Sequence, residues 1–288
     1  MQKITPFLWF NGNVEEAVNF YTSIFRNTAI GMMQRIDPNG KVFTATFSLE
    51  GQQLMALDGG PKYEFTPAIS LFVNCDTEDY TNALWERLSE GGKVLMPFMK
   101  YPFSQKFGWV QDKFGLSWQL NLTGTAPKIS PCLMFANEQK GRAEEAINFY
   151  SSLFNPSETI LIARYEAGEG GVTGTIKHAA FSLAGQEFKT MDSHMENPFK
   201  FTPAFSFFIN CEGQAEVDDL WGRFSEGGGE SRCGWVWDKF GVSWQVIPSD
   251  LMRLLYSKDR EASQRAMQAM LKMDKIIIAD LEKAYNGE

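Results

Sequence analysis

The stretch Trp109–Leu120 reads WVQDKFGLSWQL, and Trp235–Val246 reads WVWDKFGVSWQV. An aromatic-rich dodecamer that recurs in one chain predicts a repeat of something larger. Working outward, LWERLSEGG at Leu84 pairs with LWGRFSEGG at Leu220, and FTPAISLFVNC at Phe65 with FTPAFSFFINC at Phe201. FSLEGQ at Phe47 matches FSLAGQ at Phe181, AVNFYTSIF at Ala17 matches AINFYSSLF at Ala146, and ITPFLWF at Ile4 matches ISPCLMF at Ile129. The order is the same in both copies, so a whole domain is duplicated in tandem. NLTGTAPK, Asn121–Lys128, has the small polar composition of a linker. The domains are therefore set at 1–122 and 129–248, with a linker at 123–128 and a C-terminal extension at 249–288.

The copies differ in two places. EQKGR, Glu138–Arg142, is inserted before the first helix of copy two, and KVLMPFMKYPFSQKF, Lys93–Phe107, shrinks there to GESRC, Gly229–Cys233. One copy has lost a loop or strand that the other keeps.

In copy one, a strand at Ile4–Phe10 leads to a helix from Val14, whose Val14, Ala17, Val18, Tyr21, Ile24 and Phe25 keep helical spacing. Asn13 with Glu16 predicts a capping box. Strands follow at 28–36, 42–49 and 52–57, separated by the turns DPNG and EGQ. The pattern restarts with a strand at 68–74, a helix at 78–90 and strands at 94–98, 108–111 and 117–122. Each copy is thus βαβββ twice. Beyond Pro248 the sequence lacks turn signals and predicts two or three helices. Their Met252, Met267, Met270 and Met273 form a stripe that either docks on the protein's own domain or takes a partner helix.

With 288 residues, 44% of them hydrophobic, the chain can bury a substantial core. Its formal net charge of −8 argues against a nucleic-acid partner. No apolar run is long enough to cross a bilayer and the N-terminus lacks a signal peptide's apolar region, so no membrane association and a cytoplasmic location are expected. Cys75, Cys132, Cys211 and Cys233 show no CxxC spacing and read as reduced thiols, mostly buried.

The paired βαβββ units, ITPFLWFNGNVEEAVNFYTSIF, FSLEGQQLMALDGGP, FTPAIS and the closing dodecamer resemble the vicinal oxygen chelate superfamily of glyoxalase, bleomycin-resistance and dioxygenase domains. Within it they look most like the PhnB-like branch, often labelled demethylubiquinone methyltransferase. The resemblance implies an α+β fold, with two tandem glyoxalase-like domains whose sheets curl into cups, and C-terminal helices. It also implies an intramolecular pseudo-dimer, with a homodimer as a further possibility.

In that superfamily, metal ligands project from the first and last strands of each module. Carried over, those positions hold Pro6 and Pro131, Ala68 and Ala204, and Gln119 and Gln245, which offer only neutral amides. His178 and His194 align with Thr44 and Gly60. No metal and no other cofactor is expected. A methyltransferase of the usual class needs a glycine-rich turn from strand to helix. GEGGVTG, Gly168–Gly174, fails that spacing and predicts a hairpin loop, while EGGGE at Glu226 follows a helix as its stop.

Asp58 and Asp192 end equivalent strands, where each is either a general base or polar anchor, or the initiator of the following turn. Gln119 and Gln245 face either the cup interior or outward. Trp9, Phe47, Met55, Trp109, Trp118, Phe181 and Trp244 line a ligand cavity or form core. Together these residues are the ligand-binding candidates. Asp112-Lys113 and Asp238-Lys239 precede the last turn and predict its local hydrogen bonds. The first functional expectation is a metal-free protein that binds a small molecule through Gln119 and Asp58. The alternatives are an enzyme of the same fold using Asp58, of lyase, dioxygenase or isomerase type, and a non-catalytic scaffold.

Overall fold

The structure is a computed structural model that describes residues 2–35, 40–196 and 199–288. Copy one runs β1 (Ile4–Phe10), α1 (Val14–Ile24), β2 (Ala29–Arg35), β3 (Val42–Leu49), β4 (Gln52–Asp58), β5 (Ile69–Cys75), α2 (Glu78–Ser89), β6 (Lys93–Tyr101), β7 (Ser104–Gln111) and β8 (Ser117–Leu122). Copy two repeats it as β9 (Lys128–Phe135), α3 (Ala143–Leu153), β10 (Ser157–Arg164), β11 (Ile176–Leu183), β12 (Gln186–Asp192), β13 (Phe205–Cys211), α4 (Gly213–Ser225), β14 (Gly229–Glu230), β15 (Trp235–Trp237) and β16 (Ser243–Pro248). The tail forms α5 (Asp250–Leu255), α6 (Arg260–Met270) and α7 (Ile278–Asn286). None of the described helices is long and apolar enough to cross a membrane.

Every βαβββ unit expected from the repeat is present. Residues 36–39, the end of the expected strand and the first three residues of the DPNG turn, lie outside the described residues. The shortening in copy two is also visible: β6 has 9 residues, whereas its counterpart β14 has 2. The capping box does not form, because Asn13 sits at φ −132°, ψ 20° and its side chain makes no cap hydrogen bond.

Chain contacts define two compact units, Pro6–Phe205 and a second made of Ser206–Glu288 with the residues up to Thr5. In the first unit one sheet holds eight strands in the order β10-β11-β12-β9-β5-β8-β7-β6. Its middle is the antiparallel pair β5–β9, in register at Ile69↔Leu133, Ser70↔Cys132 and Phe72↔Ser130. The sheet therefore joins the second module of copy one to the first module of copy two. Only five residues separate β8 from β9, and Thr123 and Gly124 donate to the Cys75 carbonyl, so the linker is tied along the sheet.

The same unit contains β1 parallel to β4, with β3 and β2 following antiparallel. In the second unit β13 runs parallel to β16, and β15 and β14 follow antiparallel. The tail docks on this unit. Leu251, Leu254, Ala262, Ala266, Ile276 and Leu281 are buried, and Cys233 and Gly234 donate their N–H groups to the Met273 and Asp274 carbonyls. The four methionines lie only partly buried beside them.

Candidate functional site

The repeated dodecamer builds the frame around the site. Asp112 follows β7 and enters a tight turn closed by Gly115 at φ +87°, a conformation that favours glycine. Its Oδ1 accepts the N–H groups of Phe114 (2.9 Å) and Leu116 (3.0 Å), and its Oδ2 accepts the Trp118 indole and the Tyr21 hydroxyl, each at 2.7 Å. Burial pushes the Asp112 carboxyl up to about 6 despite these four donors. In copy two, Asp238 takes Phe240 and Val242 N–H and the Trp244 indole in the same pattern. DKFGxSW is thus a turn with a buried carboxylate as its staple.

Successive strand residues point to opposite faces. Trp118 packs against Tyr21 and Phe25 at ring distances of 5.2 and 5.1 Å, on the face covered by helices. Gln119 therefore lies on the helix-free face, where its Nε2 donates to Ser70 Oγ at 2.8 Å. Strand register extends this face from residue to residue. Phe72 and Trp109 stand opposite Gln119, and Ser130 and Cys132 stand opposite Phe72 and Ser70. Lys189 stands opposite Cys132, and His178 follows two residues from Ala180, which faces Lys189.

Lys189 is 8% exposed, although it is a lysine on a sheet face that carries no helix. Its Nζ lies 3.4 Å from Glu187 Oε1 and 4.9 Å from the centre of the Phe72 ring. Glu187 also accepts from Ser130 (3.0 Å) and pairs with Lys128. Burial alone would raise the Glu187 carboxyl, but Lys128, Lys189 and Ser130 outweigh it and hold it below the ordinary range. His178 is 6.0 Å from Phe72 ring to ring, and burial, reinforced by Lys189, lowers its pKa to about 4. Burial pushes the Cys132 thiol up to about 12. Phe72, Phe107 and Cys132 pack with Met96, Tyr101, Trp109 and Met191. Toward the sheet edges, Leu161 and Met99 on this face are half exposed. The face is an apolar wall around a compact polar set.

The candidates from the sequence do not assemble in one place. Gln119 and Trp109 are on this face, whereas Asp58 and Met55 belong to the β1–β4 strands. Asp58 accepts the Gly12 N–H at 2.7 Å, and Asp192 accepts those of Ala143 (3.1 Å) and Ile176 (3.0 Å). Both carboxylates pin the approach to a helix, and burial raises that of Asp192. Phe47, Trp118, Phe181 and Trp244 are core residues, each no more than 2% exposed. Phe181 stacks on Phe188, and Trp244 stacks on Phe224 of α4. Gln245 repeats the Gln119 contact by donating to Ser206 at 3.0 Å. Trp9 stands apart, its indole donating to the Gly60 carbonyl at 2.8 Å.

The donor set does not fit the superfamily's metal. Gln119 and Gln245 already donate to serines, and β9 presents Ser130 and Cys132 on Gln119's face, with Pro131 on the opposite face. Among the described residues no three His, Cys, Asp or Glu side chains come together as ligands. Gly168–Gly174 lies between the antiparallel strands β10 and β11, and Glu226 follows α4, so neither joins a strand to a helix. Missed from the sequence were Lys189, Glu187, Cys132 and Ser70. The signal of the first three is the mismatch between copies, where Met55, Gln53 and Phe7 occupy the places of Lys189, Glu187 and Cys132, whereas Ser70 is matched by Ser206.

A family model described as 3-demethylubiquinone-9 3-methyltransferase matches residues 2–121 and again 127–247. The protein YjdN of Escherichia coli K12 is 22% identical over 143 residues, spanning 43% of this chain and 97% of its own. A PhnB protein from Bacillus cereus is 48% identical and covers 42% of this chain and 100% of its own, with a TM-score of 0.41. Glyoxalase I from Zea mays is 14% identical, covers 84% of this chain and 92% of its own, and superposes with a TM-score of 0.50. That last likeness is one of fold.

Proposed function

This chain belongs to the 3-demethylubiquinone-9 3-methyltransferase family, and from that premise we propose that it is a metal-free protein that binds a small molecule on the helix-free face of the eight-stranded sheet. The observation that carries this reading is Lys189, held nine-tenths buried beside Phe72, Glu187 and His178. A buried ammonium is expensive to keep unless its charge is used, and one carboxylate at 3.4 Å leaves two of its three N–H donors for a ligand. Phe72, Trp109, Met96 and Leu161 offer apolar surface for a flat body. The ligand class is therefore a planar apolar molecule bearing a carboxylate or carbonyl oxygen. His178, neutral near pH 7, contributes a donor or acceptor beside it.

Titration calorimetry with 1-naphthoate tests this, using wild type and Lys189→Met with and without prior EDTA treatment. The expected result is one saturable site, unaffected by EDTA, with affinity at least tenfold lower in the variant. No saturable binding, or binding that needs added metal, overturns the proposal.

A further inference from the structure

The eight-stranded sheet of the first unit ends at β6 on one side and at β10 on the other, and each presents backbone N–H and C=O groups with no strand beyond it. The two edges differ in how they meet water. β6, KVLMPFMKY, carries Lys93, Pro97 and Lys100, residue types that discourage a further strand. β10, SETILIAR, has no proline and no lysine. Seven of its eight residues are exposed. Among them Ile160 and Leu161 are half exposed and Ile162 is more than a third exposed. Neighbouring strand residues point to opposite faces, so this edge is apolar on both. Three consecutive exposed aliphatics on an open edge are a template for another strand.

The strand is also complementary to itself. Antiparallel pairing of two copies of β10 about a two-fold axis at Leu161 sets Leu161 against Leu161, Ile160 against Ile162 and Glu158 against Arg164. The last pair joins opposite charges. Among the described residues Glu158 has no ion-pair partner, and Arg164, steadied by Glu144 and the Gly174 carbonyl, keeps its side chain exposed. Register against β11 is unbroken from Leu161 to Ala163, so the centre of such a pair is regular strand. The counterpart in copy one, β2, reads AIGMMQR and lacks the pattern: Ala29 stands for Glu158 and Gly31 for Ile160.

We propose that β10 is the contact between two copies of this chain, paired antiparallel and isologously through Leu161. The association is independent of the Lys189 face. It is a weak one, because a contact one strand wide falls short of the area of a permanent dimer. Sedimentation velocity on the full chain, from about 1 to about 200 µM, should show monomer giving way to dimer. Leu161→Lys brings two ammonium groups together at the axis and should weaken association by on the order of tenfold. Met32→Lys, at the matching position of β2, should leave it unchanged. Ile160→Glu and Ile162→Lys should each weaken it, and the two together, which set a carboxylate opposite an ammonium, should restore it to within about threefold of wild type. Monomer across the whole range, a dimer insensitive to Leu161→Lys or lost equally in Met32→Lys, or a double variant no tighter than either single one, overturns the assignment. If Leu161→Lys fails to fold, the two isoleucine variants and their combination still decide it.

Discussion

The two copies agree at the last turn and at the glutamine–serine pair beside it, and disagree at the polar set that shares the helix-free face with that pair. Asp112 and Asp238 accept the same backbone N–H groups and the same indole, and Gln119 and Gln245 each donate to the matching serine. By contrast His178, Glu187, Lys189 and Cys132 stand where copy one has Thr44, Gln53, Met55 and Phe7. The dodecamer is scaffold because its aspartate, its second indole and its glutamine Nε2 are spent on contacts inside the fold in both copies. The divergent set differs in charge, and within it Lys189 makes a single ion pair, at 3.4 Å to Glu187, which is what the proposed binding role rests on.

The largest effect should come from breaking the shared frame. Asp112→Ala leaves two side-chain and two backbone donors without their acceptor, and the loss should be about 3–5 kcal/mol by urea denaturation. Asp238→Ala should cost a similar amount. A loss below about 1 kcal/mol in either copy would break the equivalence of the two turns.

The divergent face should show itself in pH dependence. The His178 pKa is depressed in the fold, so the unfolded chain binds its proton more readily. The corresponding stability is present above about pH 6.5 and is lost as pH falls toward 4, amounting to at most about 3 kcal/mol. Asp112 has the opposite sign. Its raised pKa makes the folded chain the better proton binder between about pH 4 and 6, so its contribution declines as pH rises through that window. His178→Thr, copying Thr44, should therefore lose less stability than wild type between pH 7 and pH 4. An unchanged difference between those two pH values would place His178 in contact with water and separate it from Lys189.

A smaller change sharpens the same point. Lys189→Met, copying Met55, should raise the His178 pKa, read by proton NMR titration, because a neighbouring positive charge is gone; burial, the larger cause, should still keep it below 6.5. The smallest effects belong to features that both copies share at the surface. Arg35 pairs with Glu15 and Arg164 with Glu144, and each arginine also donates to a backbone carbonyl. Arg35→Gln and Arg164→Gln should each cost less than about 1 kcal/mol, and equally, in thermal unfolding.

Much of the fold was legible because strand and helix periods alternate in the same order in both copies. The pairing of modules was not. Nothing in the residues of β5 says that it should take β9 as its neighbour, since duplicated modules present similar edges and hydrogen-bonding chemistry is the same for either. The site was less legible still. Aromatic residues such as Trp118 and Phe181 stand out in a sequence, yet large rings are also what a core requires, and both are buried under helices. Asp58 and Asp192 looked available because a strand-end carboxylate is chemically versatile, but nearby N–H groups had first claim on them. Lys189 was hidden by its ordinary setting in QEFKTM, and only the register that places it beside Cys132 and Phe72 reveals its burial.

The most direct test of a metal-free binding face is native mass spectrometry of the purified chain with elemental analysis, on wild type and Lys189→Met after incubation with 1-naphthoate. The account predicts no stoichiometric zinc, nickel, iron or manganese, and a single naphthoate adduct on wild type that is largely absent from the variant. Stoichiometric transition metal, or an adduct equally present on both proteins, would contradict it.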